Sequence, residues 1–398
     1  MKQIVIVGAG PIGLEAALAA MERGFEVQIF ERGQVADAVR QWGHVKMFSP
    51  FGMNSTALGY ARLQDSGATL PKQHELLTGA EFRERYLLPL ARSLPGDVLY
   101  EDAAVLAIGR SGLLKGDRIG EPARGSAQFR LLVHDAAGER VVKADVVLDC
   151  SGTYAQPNGL GDGGIPAPGE SAARARIYYG IPDLTGKDRE RFAGRRVLVV
   201  GAGHSGATAV TGLAGLGVAE IHWLLRRDRA LPAEEIPNDP LPERARLAEQ
   251  SNRLVKEKRI TLHRAASIES MTMEKGALHV TLATTPGDVS LALDEIIAAT
   301  GFRPDLALAR ELQGQTCWAT EGTYPLAASM LGEAGGDCLN TPAFGAEMLM
   351  HPEPGYFTLG MKSYGRAPNF LLRTGHEQIE TVLDWLEQKE VLTSASTA

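Results

Sequence analysis

Two aliphatic runs, about half the chain apart, share one pattern of apolar and polar positions. The segments Gln3–Val7 and Arg196–Val200 each carry four consecutive aliphatic residues and stop at a glycine-rich turn. A short aliphatic run that ends in glycine predicts a strand buried on both faces. The small, mainly apolar residues that follow, at 11–23 and 205–216, predict helices. Each half of the chain therefore contains a predicted strand–turn–helix unit of a parallel sheet.

The glycines of both turns have the same spacing. The first turn is Gly8-Ala9-Gly10-Pro11-Ile12-Gly13, and the second is Gly201-Ala202-Gly203-His204-Ser205-Gly206. Between a strand and a helix, the first glycine makes the tight turn, the second lets the backbone approach a pyrophosphate, and the third lets the helix pack on the strand. Free N–H groups at the helix N terminus bind the phosphates. The sequence therefore predicts two dinucleotide sites, and the usual pairing is a bound flavin with a nicotinamide that delivers hydride.

The remaining pattern predicts an α/β chain of two Rossmann-like dinucleotide-binding domains. Further helices are predicted at 74–94, 241–258 and 375–389, and further strands at 27–30, 103–108, 129–133, 140–148, 220–225, 260–264, 278–283, 295–299 and 356–360. We predict a discontinuous first domain, 1–165 with 303–398, which carries an inserted β-meander. A second domain, 166–302, is inserted within the first.

The residues that follow the second strand of each unit predict how the two dinucleotides differ. Glu31, followed by Arg32, ends its strand roughly 20 residues after the first glycines, where an acidic side chain binds an adenosine ribose. The second unit has Arg226 and Arg227 at this point, and arginine pairs with a 2′-phosphate. We therefore predict NADPH rather than NADH, although Asp228 leaves NADH open.

Composition excludes several other classes of protein. The 398-residue chain has a net charge of −7, which gives no support for broad nucleic-acid binding. Its three cysteines, Cys150, Cys317 and Cys338, form no C-x-x-C pair, so neither a redox-active dithiol nor zinc-ligand spacing is expected. We expect no metal site, no signal peptide and no membrane span, and hence a cytoplasmic protein.

These motifs, in this order, resemble the two-dinucleotide flavoproteins, in particular the flavin-containing monooxygenases and their thioredoxin-reductase-like relatives. The segment Ala299-Thr300-Gly301-Phe302, with Pro304, extends the match made by the two glycine motifs and Glu31. The resemblance implies FAD in the first domain and NADPH in the second, with Thr300 and Gly301 near the cofactors.

The chain also departs from that family. Residues 179–183 keep an aromatic-Gly start but lack the downstream histidine, and no double glycine precedes Trp42. Gly360-Met361-Lys362 stands where the reductase relatives have a Gly-Asp pair. The chain is thus identified as a divergent member.

The irregular, aromatic segment 32–74 is the candidate flavin environment. Asn54-Ser55 is similar to an Asn-Ser pair that places an amide near the flavin of flavin-containing monooxygenases, and the alternative is an asparagine in an ordinary turn. Four side chains are candidate apolar walls of a dry site, or simple packing between domains: Trp42, Phe48, Phe51 and Met53.

The C-terminal segment supplies further candidates. In related folds the last helix points its N terminus at the flavin, which places Gly375 at the cofactor and lets His376 bond flavin or substrate. His376 is otherwise a surface or capping residue. Thr374 and Glu377 have capping-box spacing. Lys362, together with Tyr364 and Arg366, is a candidate site for an anionic substrate.

The resemblance implies hydride transfer from NADPH to FAD, and the absence of C-x-x-C excludes a thioredoxin-type relay. Molecular oxygen is then the expected acceptor, so we predict a flavin monooxygenase that oxygenates a small molecule through a flavin hydroperoxide. The alternatives are a reductase that passes electrons to a disulfide, quinone or protein carrier, and a binding protein without turnover. Homodimers are common in this architecture, so a homodimer is also considered.

Overall fold

The computed structural model describes residues 2–332, 345–368 and 370–395. The strands are β1 Gln3–Val7, β2 Glu26–Phe30, β3 Leu99–Tyr100, β4 Ala104–Arg110, β5 Phe129–Asp135, β6 Gly138–Ala144, β7 Val146–Asp149, β8 Gln156–Pro157, β9 Ile177–Tyr179, β10 Arg196–Val200, β11 Glu220–Leu224, β12 Thr261–His263, β13 Ser267–Glu274, β14 Ala277–Ala283, β15 Val289–Leu293, β16 Glu295–Ala298, β17 Phe302–Arg303 and β18 Tyr356–Thr358. The α-helices are α1 Pro11–Glu22, α2 Asp37–Gln41, α3 Phe51–Asn54, α4 Ala57–Asp65, α5 Gly79–Phe82, α6 Leu88–Arg92, α7 Arg189–Phe192, α8 His204–Leu216, α9 Pro242–Lys256, α10 Tyr324–Gly332 and α11 Leu372–Ala395. A π-helical turn covers Arg83–Leu87.

The first compact unit comprises Met1–Gly43, Ser49–Gln156 and Arg303–Ala398. Its five parallel strands have the order β18-β7-β1-β2-β3. Successive side chains of β18 point to opposite faces of this sheet. Tyr356 packs in the core under the antiparallel β4-β5-β6 meander, whereas Phe357 contacts Trp385 of α11. The sheet is therefore covered by the meander on one face and by α11, which packs on α1, on the other.

The second compact unit comprises His44–Phe48 and Pro157–Phe302. It has a five-stranded parallel sheet of order β12-β11-β10-β16-β9 and a second antiparallel meander, β13-β14-β15. Alternate residues of β10 enter different cores. Val197 and Val199 pack with α8 and Trp223, while Leu198 and Val200 pack with the meander. Both units thus have the architecture of a dinucleotide-binding domain, and the predicted α/β fold class is confirmed.

Two predicted helices differ from the structure. The segment 74–94 is not one helix: α5, which begins at a Thr78–Glu81 capping box, continues into the π-helical turn and then α6. Pro89 has no N–H and its ring would clash with the carbonyl four residues earlier, which accounts for the wider turn there. The last helix begins at Leu372, so the proposed capping box of Thr374 and Glu377 is wrong, because Thr374 lies inside the helix.

A buried ion triad fixes the insert 111–126 to the first unit. Glu353 is 0% exposed, and its carboxylate pairs with Arg110 Nε at 2.7 Å and with Arg124 Nη2 at 3.0 Å. Gln313 N–H donates to the same carboxylate at 2.8 Å. The three charged side chains therefore join β4, the insert and the segment before β18.

Within the described residues, no helix has both the length and the apolar character that crossing a bilayer requires.

Candidate functional site

The first glycine motif forms a tight connection between β1 and α1. Gly8 has φ +99°, and a Cβ on it would lie 2.9 Å from the Cys150 carbonyl oxygen. A Cβ on Gly13 would lie 2.0 Å from the Gly8 carbonyl oxygen. By contrast, a Cβ on Gly10 would meet nothing within 4 Å. The first and third glycines are therefore required by the fold itself, while the second leaves an open approach to the backbone, as a pyrophosphate needs.

The second motif repeats this geometry between β10 and α8. Gly201 has φ +121°, and a Cβ there would lie 2.3 Å from the Ala299 carbonyl oxygen. A Cβ on Gly206 would lie 2.2 Å from the Gly201 carbonyl oxygen, whereas one on Gly203 would meet nothing within 4 Å. Among the described residues, no N-cap side chain bonds the first N–H groups of α1 or α8. Both helix ends therefore keep donors for a phosphate, and the residues present fit a dinucleotide in each unit.

The strand-end residues lie beside these loops. Glu31 follows β2, and its carboxylate accepts hydrogen bonds from Ala9 N–H at 2.8 Å and Gly33 N–H at 3.0 Å. Each oxygen keeps a lone pair, so the ribose role of Glu31 stays a prediction. Arg32 is exposed next to it.

Arg226 and Arg227 are exposed just beyond β11, and β11 pairs with β10 up to the second glycine turn. Within the described part of the chain, neither guanidinium has an ion pair or hydrogen bond. Asp228, which left NADH open, forms an ion pair with Arg264, with 3.5 Å between Oδ1 and Nη1. The 2′-phosphate role of the two arginines stays a prediction, and the exposed pair of Asp228 with Arg264 leaves NADH open.

His204 is the first residue of α8 and is exposed, and Ser205 follows it. Phe48 belongs to the same unit and contacts the His204 ring edge-on, with centroids 5.3 Å apart. Thr300 and Gly301 are held against Asn158: Thr300 Oγ1 donates to the Asn158 carbonyl at 3.0 Å, and Asn158 N–H donates to the Gly301 carbonyl at 3.0 Å. His204 and Ser205 thus belong to the second glycine motif itself, and Thr300 and Gly301 lie beside it.

Asn54 is buried in its own turn. Its Oδ1 accepts from Ser49 Oγ at 2.8 Å, and its Nδ2 donates to the carbonyls of Ser49 and Pro50 at 3.0 and 3.1 Å. The amide thus stabilises the turn, which is the alternative that the sequence left open; a contact with flavin stays a prediction. Phe51 is 0% exposed and packs edge-on against Tyr86, so it is a core residue rather than a wall of the site.

Trp42 follows α2 and packs its ring on Gly79, where a Cβ would lie 2.6 Å from the indole. Its Nε1 is buried and, within the residues that the structure describes, has no hydrogen-bond partner. A buried indole donor without a partner is unusual and fits a group that completes its bonding on a cofactor or substrate.

The predicted anionic-substrate cluster does not form. Lys362 is 2% exposed, and its Nζ donates to Asp149 Oδ2 at 2.6 Å and to Ser151 Oγ at 2.9 Å. Tyr364 is buried and Arg366 is exposed. The proposed trio is therefore corrected, because the charge of Lys362 is already balanced by Asp149.

Asp149 ends β7 and is 0% exposed. Burial would raise the pKa of this carboxyl, but Lys362 and the donors Ser151 and Tyr356 lower it below its usual value. Burial and the Asp149 charge raise the pKa of the neighbouring Cys150 thiol, so this cysteine is a poor nucleophile.

The start of α11 lies against the first glycine motif. A Cβ on Gly375 would lie 2.4 Å from Ile12 Cδ1, and one on Gly360 would lie 3.1 Å from Ile12 Cγ1. His376 is 9% exposed, and burial lowers its pKa to about 4, so the imidazole is neutral. Among the described residues its Nε2 has no partner. His376 is therefore a buried residue rather than a surface cap.

Sequence reasoning missed Glu15, a buried carboxylate on α1. It accepts from Tyr86 Oη at 2.5 Å, Thr56 Oγ1 at 2.7 Å and Thr56 N–H at 3.3 Å. Burial raises the pKa of Glu15 despite these donors. An acidic residue within the apolar stretch of α1 was the available signal. Through Thr56, this carboxylate joins the helix of the first glycine motif to the turn that contains Asn54.

Comparison with known proteins identifies the family to which the chain belongs. A family model described as pyridine nucleotide-disulphide oxidoreductase matches residues 5–88 and 136–328, more than half of the chain. Indole-3-pyruvate monooxygenase YUCCA1 of Oryza sativa subsp. japonica is 29% identical over 205 residues. That match covers 51% of this chain and 42% of the rice protein, so less than half of the relative is represented.

Solved structures agree on the fold. Bacillithiol disulfide reductase Bdr (YpdA) from Bacillus cereus has a TM-score of 0.71 at 16% identity, over 98% of this chain and 99% of that one. Ornithine N-hydroxylase KtzI of Kutzneria sp. 744 has a TM-score of 0.65 at 16% identity, over 98% and 100%. Thioredoxin reductase of T. acidophilum has a TM-score of 0.63 at 15% identity, over 96% and 99%.

The two glycine motifs, the two parallel sheets and these matches confirm the resemblance to two-dinucleotide flavoproteins. The chain belongs to the pyridine nucleotide-disulphide oxidoreductase family.

Proposed function

We propose that this protein is an FAD- and NADPH-dependent monooxygenase that oxygenates a small-molecule substrate. The observation that carries the proposal is the pair of open glycine loops in a chain that has no C-x-x-C motif. The two loops would accept two dinucleotides, and no C-x-x-C dithiol is available to take the electrons onward. Bound FAD would supply the redox chemistry, and oxygen would be the final acceptor.

The residues of the first unit would bind FAD. The Gly10 loop and the N terminus of α1 offer backbone donors to the pyrophosphate, and Glu31 offers its free lone pairs to the ribose. The start of α11, packed on Ile12, brings a second helix N terminus close to the same loop. Its partial positive charge would stabilise negative charge on a reduced ring.

The residues of the second unit would bind NADPH. The Gly203 loop offers donors to the pyrophosphate, and Arg226 and Arg227 offer two exposed guanidiniums to the 2′-phosphate. A charge-assisted hydrogen bond contributes about 1.5–3 kcal/mol, which corresponds to roughly a tenfold to hundredfold change in affinity. Arg226→Ala should therefore raise the KM for NADPH by that factor and leave the KM for NADH nearly unchanged.

Arg253→Ala is a matched control, because Arg253 is also exposed but lies on α9. Equal effects of Arg226→Ala on NADPH and NADH would remove the phosphate role.

Oxygen as the acceptor is supported by the likeness to a rice monooxygenase and by the fold of an ornithine N-hydroxylase. Burial and the Asp149 charge disfavour the Cys150 thiol as a nucleophile. Hydrogen bonds with Thr320 lower the pKa of the Cys317 thiol, so this cysteine keeps the reductase alternative open. Cys338 lies outside the described residues. The rival is a reductase that passes electrons from NADPH to a small acceptor without oxygen insertion.

The test is the stoichiometry of NADPH, oxygen and product in the purified FAD-loaded protein, with amines, thiols and ketones as substrates. A monooxygenase consumes one oxygen per NADPH and forms an oxygenated product. Rapid NADPH oxidation by quinones or disulfides under nitrogen, with no oxygenated product in air, would favour the reductase instead.

Asn54→Ala separates the two roles of the turn. If the amide acts on the flavin, the variant should keep fast flavin reduction and release more hydrogen peroxide per NADPH. If the amide only holds Ser49 and Pro50, the variant should lose stability without any change in coupling.

A further inference from the structure

A small cavity lies beside β18 in the first unit and has no part in the proposed dinucleotide sites. Its volume is about 150 Å³, and it is lined by residues of three segments: Lys115, Leu306, Ala309, Arg310, Leu312, Gly314, Thr316, His351, Tyr356, Thr358 and Lys362. Sites for drug-sized ligands occupy roughly 300–1,000 Å³, so this cavity suits a group of a few heavy atoms.

The charges around the cavity have one sign. Three of its lining side chains are cationic, Lys115, Arg310 and Lys362, and none of the lining residues is acidic. Asp149 balances Lys362 from behind but does not line the cavity. In the described part of the chain, the Arg310 guanidinium has no ion pair. The net positive charge therefore comes from the two residues at the rim.

The floor offers an unused donor. An ammonium group has three N–H bonds. Lys362 uses one on Asp149 at 2.6 Å and one on Ser151 at 2.9 Å, and within the described residues the third has no protein acceptor. Lys362 is 2% exposed and lines the cavity. A buried N–H without an acceptor lowers the stability of the protein, and a ligand oxygen would provide that acceptor.

The rest of the cavity is held rigidly. His351 Nδ1 accepts from Gln315 N–H at 3.1 Å, and its Nε2 lies 2.9 Å from Thr358 Oγ1. At the rim, Lys115 Nζ donates to the Arg310 carbonyl at 2.8 Å, and Gln313 Nε2 donates to the Lys115 carbonyl at 2.8 Å. The two rim residues are therefore tied to each other before any ligand arrives, which reduces the entropy lost on binding.

We propose that this cavity is a binding site for a small oxyanion, either a tetrahedral inorganic anion or a carboxylate, held between Lys115 and Arg310 at the rim and Lys362 at the floor. The two rim cations supply the attraction, the unused ammonium hydrogen of Lys362 supplies a donor, and no lining carboxylate opposes such an anion. The site does not depend on the proposed oxygenation, because no residue of the glycine loops lines it.

The experiment is a thermal-shift and calorimetric titration of the purified protein, with FAD and NADP⁺ present, at constant ionic strength set by chloride. The probes are sodium phosphate, sulfate and acetate, which separate tetrahedral anions from a carboxylate. A saturable rise in Tm is expected with one class. Lys115→Gln/Arg310→Gln should weaken that binding at least tenfold.

Lys187→Gln/Arg189→Gln is the matched control, since it removes two exposed cations from the second unit. An anion at a glycine loop would bind equally well to the Lys115→Gln/Arg310→Gln protein. Unchanged binding in that variant would overturn the proposal, and so would the absence of any saturable effect beyond chloride.

Discussion

Replacing Lys362 by methionine should destabilise the first unit strongly, because it leaves Asp149 buried without its cation. Asp149 is 0% exposed and Lys362 is 2% exposed, with 2.6 Å between Nζ and Oδ2. Methionine keeps much of the side-chain volume, so the charge is the main change. Removing one partner of a buried pair typically costs about 3–5 kcal/mol.

The loss should depend on pH, and its sign follows from Asp149. In the native protein the pKa of Asp149 is lowered, so the stability that it contributes is present above its unfolded pKa and is lost as the pH falls through the folded value. Without Lys362, burial raises that pKa instead. Folding of the variant then becomes less favourable as the pH rises from the unfolded value, about 3.9, through the raised folded value. The difference between the two proteins should reach its full size at neutral pH and become small only when the pH falls below the lowered folded pKa of Asp149.

Urea unfolding at pH 5 and pH 8 measures this difference. Asp149→Asn/Lys362→Met should recover part of the loss at pH 8, since a neutral amide replaces the stranded carboxylate. Lys187→Met, on an exposed lysine, should cost less than about 0.5 kcal/mol. A cost below about 1 kcal/mol for Lys362→Met, or an equal cost at both pH values, would refute the reasoning.

Three further predictions concern the glycine turns, the ion triad and a buried histidine. Gly206→Ala should destabilise the second unit even without ligand, because its Cβ would lie 2.2 Å from a carbonyl oxygen. Gly203→Ala should fold normally and lose affinity for NADPH. Thermal melts measure the first effect, and flavin reduction rates measure the second. Glu353→Gln should lower the free energy of unfolding by about 3–5 kcal/mol, because it strands two buried guanidiniums, as urea titration would measure. His376→Gln should flatten the acid side of the profile of unfolding free energy against pH. Burial lowers the pKa of His376 to about 4 in the folded protein. As the pH decreases from about 6.5 towards that value, this histidine therefore lowers the free energy of unfolding by up to about 1.4 kcal/mol per pH unit.

Each of these three predictions can be contradicted by a specific result. Normal melting of both glycine variants with unchanged NADPH affinity would argue against the second dinucleotide site. A stability loss under about 1 kcal/mol for Glu353→Gln would mean that water reaches the triad. An unchanged acid slope for His376→Gln would mean that this imidazole is protonated in the folded protein.

The glycine turns could be predicted because their signal is local. An aliphatic strand, the glycine spacing and a small-residue helix lie close together in sequence, and the first and third glycines of each turn have a steric reason in their own turn or a neighbouring strand. The structure places Gly8, Gly13, Gly201 and Gly206 where a Cβ would collide with backbone. The same local reasoning found the strand-end arginines Arg226 and Arg227.

The buried polar contacts could not be predicted, since their partners are far apart in sequence. Asp149 meets Lys362 across 213 residues, and Arg110 meets Glu353 across 243. Taken alone, Lys362 looked available for a substrate. The strand Ser267–Glu274 was missed because it carries several exposed polar residues, and Val289–Leu293 was missed because it is short and follows a turn. Pairing with β14 selects the extended conformation of both.

The α11 boundary shows a third limit. Thr374 and Glu377 have the spacing of a capping box, but capping requires the helix to begin at that threonine. The structure begins α11 at Leu372 and buries Thr374, Gly375 and His376 in the first unit. Tertiary packing against Ile12 therefore decides the start of the helix.

The measurement that tests the central claim most directly is anaerobic reduction of the FAD-loaded protein with NADPH, followed by rapid mixing with oxygenated buffer while the flavin spectrum is recorded. The account predicts full bleaching by NADPH and then a transient spectrum, distinct from both reduced and oxidised flavin, before the oxidised spectrum returns. A direct return without a transient, or no reaction with oxygen, would contradict the monooxygenase assignment and direct the search to other electron acceptors.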